Sequence, residues 1–204
     1  MSETDITTLQ TMGRWEPNAR GRLEQAALEL YQERGFEQTT VAEIAKRAGL
    51  TERTFFRYFT DKREVLFWGG AALAELMVNA VNQTPASASP IDAVAAALGA
   101  AADLLQERRE GARQRNAVIA ANAELREREL IKLASLADGL AEALRQRGVA
   151  EPAASLSAEA GIAVFRVAFD RWVDETNHTT LARLIRESLD ELRIVTADTR
   201  RGSN

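Results

Sequence analysis

Cysteine is absent from the 204 residues, and histidine occurs once, at His178. Each absence removes a class of chemistry. Without thiols there is no disulfide framework, no cysteine nucleophile and no Cys/His zinc site. A di-iron helical bundle needs a Glu-x-x-His motif on each of two helices, and the single histidine supplies one match at most, Glu175-Thr176-Asn177-His178. The glycines form neither Gly-x-Gly-x-x-Gly nor the Gly-x-x-x-x-Gly-Lys phosphate cradle. The chain therefore reads as a non-enzyme, with no cofactor and no metal. Long apolar runs are missing too. The best candidate, Val65 to Ala74, is interrupted by Gly69-Gly70 and ends at Glu75, short of the roughly 18 residues of a membrane span. The opening MSETDITTLQ is polar and acidic, unlike a signal peptide. A cytoplasmic protein with no membrane partner is expected. Finally, Val/Ile/Thr-rich alternating runs bounded by turns do not occur, which argues against a sheet.

What is abundant is alanine, 37 residues, so the 46% apolar content falls to about 28% without it. Small side chains with scattered leucine suit closely packed helices, and alanine is the best helix former. The length fits one domain or two small ones. The net charge of −4 excludes a uniformly basic coat, but acidic residues elsewhere can hide a local basic patch.

Residues 1–13 have no sustained apolar period and read as a disordered tail, as do residues 198–204. From Pro17 to Arg34, Leu23, Ala26, Ala27, Leu30 and Tyr31 follow helical spacing, and Gly35 ends the segment. Thr40-Val41-Ala42-Glu43 is a capping box opening a short helix with Val41, Ile44, Ala45 and Ala48 inward. Gly49 permits a left-handed turn, Leu50 plugs it, and Thr51 caps TERTFFRYF, in which Phe55 and Phe59 face inward. Two such helices joined by AGL make a helix-turn-helix. Asp61 caps a longer helix. Further helices are expected from Ile91 to Arg109, then after a break near Gly111 as far as Ala121, from Asn122 as a cap to Gly148, from Leu156 to Glu175, and from Thr179 or Thr180 onward. The fold class is all-α: a helix-turn-helix domain over 14–60 and a second helical domain over 61–197.

Between Gln38 and Arg63 six basic residues (Lys46, Arg47, Arg53, Arg57, Lys62, Arg63) face three acidic ones, a local +3. A positive patch on a helix-turn-helix is the footprint of a DNA reader. Its second helix lies in the major groove, N-terminal residues near base edges. There Arg53 can grip a guanine, the Thr54 methyl can touch a thymine methyl, and Glu52 either accepts from cytosine or favours the helix N-terminus. Thr40 and Thr51 place hydroxyls where phosphates would sit, and Arg57, Tyr58 and Lys62 lie along the backbone side. The competing reading is a helical interaction protein whose polar residues form only a solvated face.

The order RGFEQTTVAEIA followed by KRAGLTERTFFRYFTDKREVL closely resembles the TetR family of bacterial transcriptional repressors. The similarity covers residues 17–67, with Gly35-Phe36, Thr39-Thr40, Ile44-Ala45, Ala48-Gly49, Thr54, Tyr58-Phe59 and Asp61-Lys62 in the family's register. It implies a three-helix DNA-binding domain and a helical ligand-binding domain that forms homodimers. Phe56 stands where the family often has tyrosine, so a phosphate-contacting hydroxyl is missing. The stretches ANAELRERELIKLASLADGLAEAL and EAGIAVFRVAFDRWVDE resemble one subgroup, whose C-terminal domain is described as acyl-CoA-like ligand binding and which includes the regulator of the mycofactocin system. The resemblance implies a repressor released from a palindromic operator by an apolar or acyl-CoA-type effector.

A pocket between helices is apolar with a few polar groups. Trp68, Leu98, Ala102, Ile119, Phe165 and Phe169 are candidate walls, and Arg115 and Asn122 candidate polar anchors, although apolar residues at helical spacing equally suit plain core. The last two helices are the expected dimer elements. The sequence leaves open whether Phe165 and Phe169 face that contact or the pocket.

Overall fold

A computed structural model describes residues 18–197; the tails expected at 1–13 and 198–204 lie outside the described residues. Among those described there are helices and no strand. The chain divides into two compact units between Val65 and Leu66.

The first unit is built on α1 (Ala19–Arg34), α2 (Val41–Arg47) and α3 (Glu52–Tyr58). Helix α1 buries Leu23, Ala26, Ala27, Leu30 and Tyr31, the stripe that helical spacing dictates. Gly35 ends it at φ 86°, a conformation open to glycine, with its N–H on the Tyr31 carbonyl. Helix α2 starts in a complete capping box: the Thr40 hydroxyl accepts from the Glu43 N–H, and the Glu43 carboxylate accepts from the Thr40 N–H. In the turn Gly49 has φ 66°, the Leu50 N–H reaches back to the Ala45 carbonyl, and Arg22 of α1 donates to the Ala48 carbonyl. The Thr51 hydroxyl then caps α3 by accepting from the Thr54 N–H. Phe55 and Phe59 are buried with ring centroids 5.4 Å apart, which fixes the rotation of α3. Asp61 accepts from the Arg63 and Glu64 N–H groups at 2.7 and 3.0 Å and so starts α4 (Glu64–Phe67), within which the unit boundary falls.

The second unit comprises α5 (Gly70–Gln83), α6 (Pro90–Gln106), α7 (Arg109–Ala121), α8 (Ala123–Gln146), α9 (Ala153–Val173) and α10 (Leu181–Thr196). Helix α9 is central and packs against α6, α7, α8 and α10. Its neighbours meet it with small residues: Ala93, Ala97, Ala101 and Ala102 of α6 and Ala137, Ala141 and Ala143 of α8 are all buried in one core with Ala154, Ala158 and Ala168 of α9. At Gly161 the approach leaves no room for a side chain, since a Cβ would run into a γ-methyl of Val94. At the far end Arg109 donates to the carbonyls of Trp172 (3.0 Å), Asp174 (2.8 Å) and Asn177 (2.5 Å), satisfying acceptors that the end of α9 leaves open. Val94 beside Gly161 and Arg109 beside Trp172 mean that α6 and the start of α7 run alongside α9 in the same direction.

Two local expectations differ from the structure. The break near Gly111 falls earlier, at Glu107-Arg108, and α7 runs straight through Gly111; Glu110 bridges one turn to Arg113 (2.7 Å) and Gln114 (2.8 Å) across it. Asn122 precedes α8 without a side-chain cap, because its amide donates backward to the Val118 carbonyl. The segment Glu64–Gln83, with mean hydropathy 1.3, is by length and composition alone apolar enough to cross a membrane. It is turned at Trp68-Gly69, and α5 places Met77 and Val81 in the core.

Gly161→Ala is expected to destabilise the protein by about 1–3 kcal/mol, the usual range for overpacking, since Val94 is stiff at χ1 and fully buried. Urea denaturation checks this, and adding Val94→Ala to the Gly161→Ala chain should raise its midpoint again.

Candidate functional site

With Phe55 inward, α3 presents Glu52, Arg53, Phe56 and Arg57 as exposed residues and Thr54 and Tyr58 as half-buried ones. Among the described residues nothing engages the Arg53 guanidinium, in the first turn of α3. Phe56 is 55% exposed, a high figure for an aromatic side chain in a small unit. Arg57 lies over the Tyr58 ring (5.0 Å) and donates to its hydroxyl (3.2 Å), while Arg20 of α1 faces the same ring at 5.5 Å. The Thr51 and Thr54 hydroxyls share a hydrogen bond of 3.0 Å. These residues form one outward surface around α3.

The other candidates are engaged internally. Lys62 was expected to reach a phosphate; it turns inward instead. Its ammonium donates to the carbonyls of Phe36 (2.8 Å), Glu37 (3.1 Å) and Thr39 (3.0 Å) and sits 4.5 Å above the Phe36 ring. Its own carbonyl accepts from the Tyr31 hydroxyl at 2.7 Å. Burial, and then the charge of Asp61, push that phenol well above its ordinary pKa, so it stays a donor. Thr40 is bound to Glu43 through both its N–H and its hydroxyl, each at 2.9 Å. The Thr40 N–H first, then its hydroxyl and the nearby Arg34, hold the Glu43 carboxyl below its usual pKa. The Arg47 charge is answered by Glu33 (2.8 Å) and Glu29 (3.4 Å). Lys46 is exposed on α2 with no partner among the described residues. It belongs to the basic cluster of the sequence but not to the candidate contacts chosen from it, because helical spacing alone did not show which lysine was free.

The candidate effector residues lie at different places in the second unit. Leu98, Ala102 and Phe165 are buried in the same core, with Phe169 packed against it. Within the single chain, Phe165 thus belongs to the bundle interior and Phe169 lies at its margin. Ile119 is buried and Trp68 half-buried, both outside that cluster. Arg115, expected to anchor a ligand, donates to the Leu66 carbonyl (2.6 Å) and grips Glu129 with two nitrogens at 3.0 and 2.6 Å. Its guanidinium lies 5.1 Å from the Phe67 ring, and that of Arg128 lies 5.3 Å from it. Asn122 is engaged by Val118, as above. An open groove of about 540 Å³ lies instead between α9 and α10, lined by residues that include Val164, Val167, Arg171, Ser188 and Leu192. None of the eight candidates lines it. Along the same two helices Leu156, Val167, Ile194 and Val195 are 55 to 68% exposed, although they belong to apolar stripes. Trp172, absent from the candidates, is fully buried and its indole N–H has no partner; sequence spacing marks it only as core.

Comparison with known proteins accords with this geometry. The model of bacterial regulatory proteins of the tetR family matches residues 24–67, and the MftR C-terminal domain matches residues 88–197, more than half of the chain. The HTH-type transcriptional regulator TcmR of Streptomyces glaucescens is 38% identical over 81 residues, 40% of this chain and 36% of that protein; the chain aligns with about a third of the length of the curated relatives it matches. Among solved structures, the TetR-family repressor FadR of Thermus thermophilus, in complex with lauroyl-CoA, is 25% identical with a TM-score of 0.54, covering 91% of this chain and 98% of that one. The SmeT–triclosan complex, from Stenotrophomonas maltophilia, is 20% identical with a TM-score of 0.63, covering 87% and 90%, and shares the fold.

Removing the Lys62 ammonium opens three hydrogen bonds, so Lys62→Ala is expected to lower stability by about 1–3 kcal/mol. Arg53→Ala, on the outward surface, should stay within about 0.5 kcal/mol of the parent. Chemical denaturation followed by circular dichroism distinguishes them; equal losses would contradict the assignment of Lys62 as an internal brace.

Proposed function

The chain belongs to the TetR family of bacterial regulatory proteins, and from that premise we propose that it is a transcriptional repressor whose α2–α3 pair reads an operator and whose C-terminal unit binds an apolar effector that releases it. The observation that carries this reading is the Arg53 guanidinium at the start of α3: like Lys46 on α2 it has no partner among the described residues, and exposed Glu52, Phe56 and Arg57 flank it. An arginine there can grip the O6 and N7 of a guanine. Thr51, Thr54 and Tyr58 supply hydroxyls for phosphates; Thr40 joins them once Glu43 yields. Phe56 offers only apolar contact. Lys62 acts from within, by holding the approach to α2.

A homodimer through α9 and α10 is supported by the exposed Leu156, Val167, Ile194 and Val195 and by the groove between these helices. Two chains then present two reading helices about 34 Å or more apart, one on each half of an inverted repeat. An acyl-CoA effector is supported by the MftR-type C-terminal domain and by the lauroyl-CoA seen in the FadR relative. Alanine-lined helix contacts in the second unit let helices part around an acyl chain without moving large side chains. Release follows by linkage: an effector that prefers a spacing of reading helices unsuited to the operator weakens DNA binding by the same factor that DNA weakens its own binding. A tenfold effect needs only about 1.4 kcal/mol.

Mobility-shift titration on inverted repeats upstream of the protein's own gene tests this. Arg53→Ala should lose about 1–3 kcal/mol of discrimination at one base pair while binding random DNA as before, and palmitoyl-CoA should release the operator complex. Release by triclosan-like aromatics with no response to acyl-CoA would overturn the effector class and leave the repressor. No binding to any upstream sequence would favour an interaction protein. Val167→Glu should give a monomer by light scattering at micromolar concentration and lose the operator together with the dimer.

A further inference from the structure

Trp172 is the one indole that the core of the second unit encloses completely, at 0% exposure. Its carbonyl accepts from Arg109, but its Nε1–H has no acceptor among the described residues. Buried donors are almost always paired, so an orphan needs a reason. The surroundings indicate one. Trp172 ends a row of rings, with Phe169 5.6 Å away and Phe165 5.7 Å beyond it. Phe169 is the half-buried member, so the row reaches toward solvent there. The stretch of α6 containing Ala101, Ala102 and Leu105 runs alongside Phe165 to Trp172, because Val94 meets Gly161 before it and Arg109 meets Trp172 after it. Aromatic rings, buried alanines and one unpaired donor in the same core give apolar surroundings with a single polar point, the composition that recognises an apolar ligand bearing one acceptor once the helices part around it.

We infer that the Trp172 indole N–H is the hydrogen-bond donor to the carbonyl oxygen of the effector, and that it selects a neutral acyl thioester over the free carboxylate. This rests on the effector class proposed above and goes further in assigning its anchoring residue. The selection follows from charge. A carboxylate buried here would need a cation, and the guanidiniums at this end of α9 are already engaged: Arg109 by three carbonyls, Arg113 by Glu110 and Glu175, and Arg171 by Glu187. A thioester oxygen needs only the one donor. The ligand takes up the orphan bond, the ring keeps its place, and the acyl chain lies along Phe165 and Phe169.

The test is a thermodynamic cycle on the full chain. Palmitoyl-CoA, S-hexadecyl-CoA (the thioether without the carbonyl) and palmitate are titrated calorimetrically against three proteins: the parent, Trp172→Phe, and a chain with benzothienylalanine at 172, which keeps the ring shape and lacks the N–H. The parent should bind the thioester about three- to tenfold more tightly than the thioether, the range of one net hydrogen bond, and palmitate more weakly still. The benzothienyl chain should bind both CoA compounds alike, while melting no lower than the parent because the unpaired donor is gone. Trp172→Phe should show the same lost discrimination, whatever its stability. If the benzothienyl chain keeps the parent's preference, or the parent binds both CoA compounds equally, the assignment is overturned and the acyl effector stands. If the parent binds neither CoA compound, the effector class fails and this assignment falls with it.

Discussion

Helix α9 can stand at the centre of the C-terminal unit because Gly161 lets it lie directly on Val94 of α6. A glycine in mid-helix costs roughly 1 kcal/mol against alanine, and close packing against α6 offsets it. Everything around α9 inherits that distance. Alanines on α6 and α8 can touch it, Arg109 at the start of α7 reaches its last carbonyls, and Trp172 is enclosed. The face turned away carries Ala163 and Val167 into the open groove beside α10. One close contact thus separates an inward aromatic row from an outward apolar stripe on the same helix.

The N-terminal unit solves a different problem. A reading helix of seven residues has few contacts with which to fix its rotation, and here Phe55 and Phe59 do it from within. Thr51 holds its first turn, and Lys62 braces the chain between α1 and α2 from the other side. Exposed side chains are left where they meet solvent: Arg53 and Phe56 on α3 and Lys46 on α2. Rigidity beneath and free cations above suit a surface that presents a fixed shape to a charged partner.

Features whose cause lies within a few residues were legible in the sequence. The capping box of Thr40 and Glu43, the cap at Thr51, the turn at Gly49 and the inward Phe55 and Phe59 follow from spacings of three and four, and the all-α class follows from the alanine content. Features whose cause lies far along the chain were not. Lys62 reads as a surface cation because its three acceptors sit 23 to 26 residues earlier. Arg115 reads as a free anchor because Glu129 and the Leu66 carbonyl lie 14 and 49 residues away. Spacings of four and three put Phe165, Phe169 and Trp172 on one face of a helix, but which helix that face meets, and that the Trp172 N–H has no acceptor among the described residues, depends on tertiary packing. Gly111 was misjudged for a local reason: the pairing of Glu110 with Arg113 and Gln114 carries the helix past it.

The Arg109 contacts bear also on the order in which the molecule assembles. They close over 63 to 68 residues of chain, whereas in the first unit the contacts of Arg20 with Tyr58, Tyr31 with Lys62 and Lys62 with Phe36 close over 38, 31 and 26. Contacts between distant parts of a chain form later, because loop closure must precede them. On a ribosome α1, α2 and α3 are all present once Val65 has emerged, while α6 and α7, which also pack on α5 and α8, wait for α9 to complete their contacts. The helices that face a nucleic acid are therefore made before the second unit, the larger part of the chain, exists to control them.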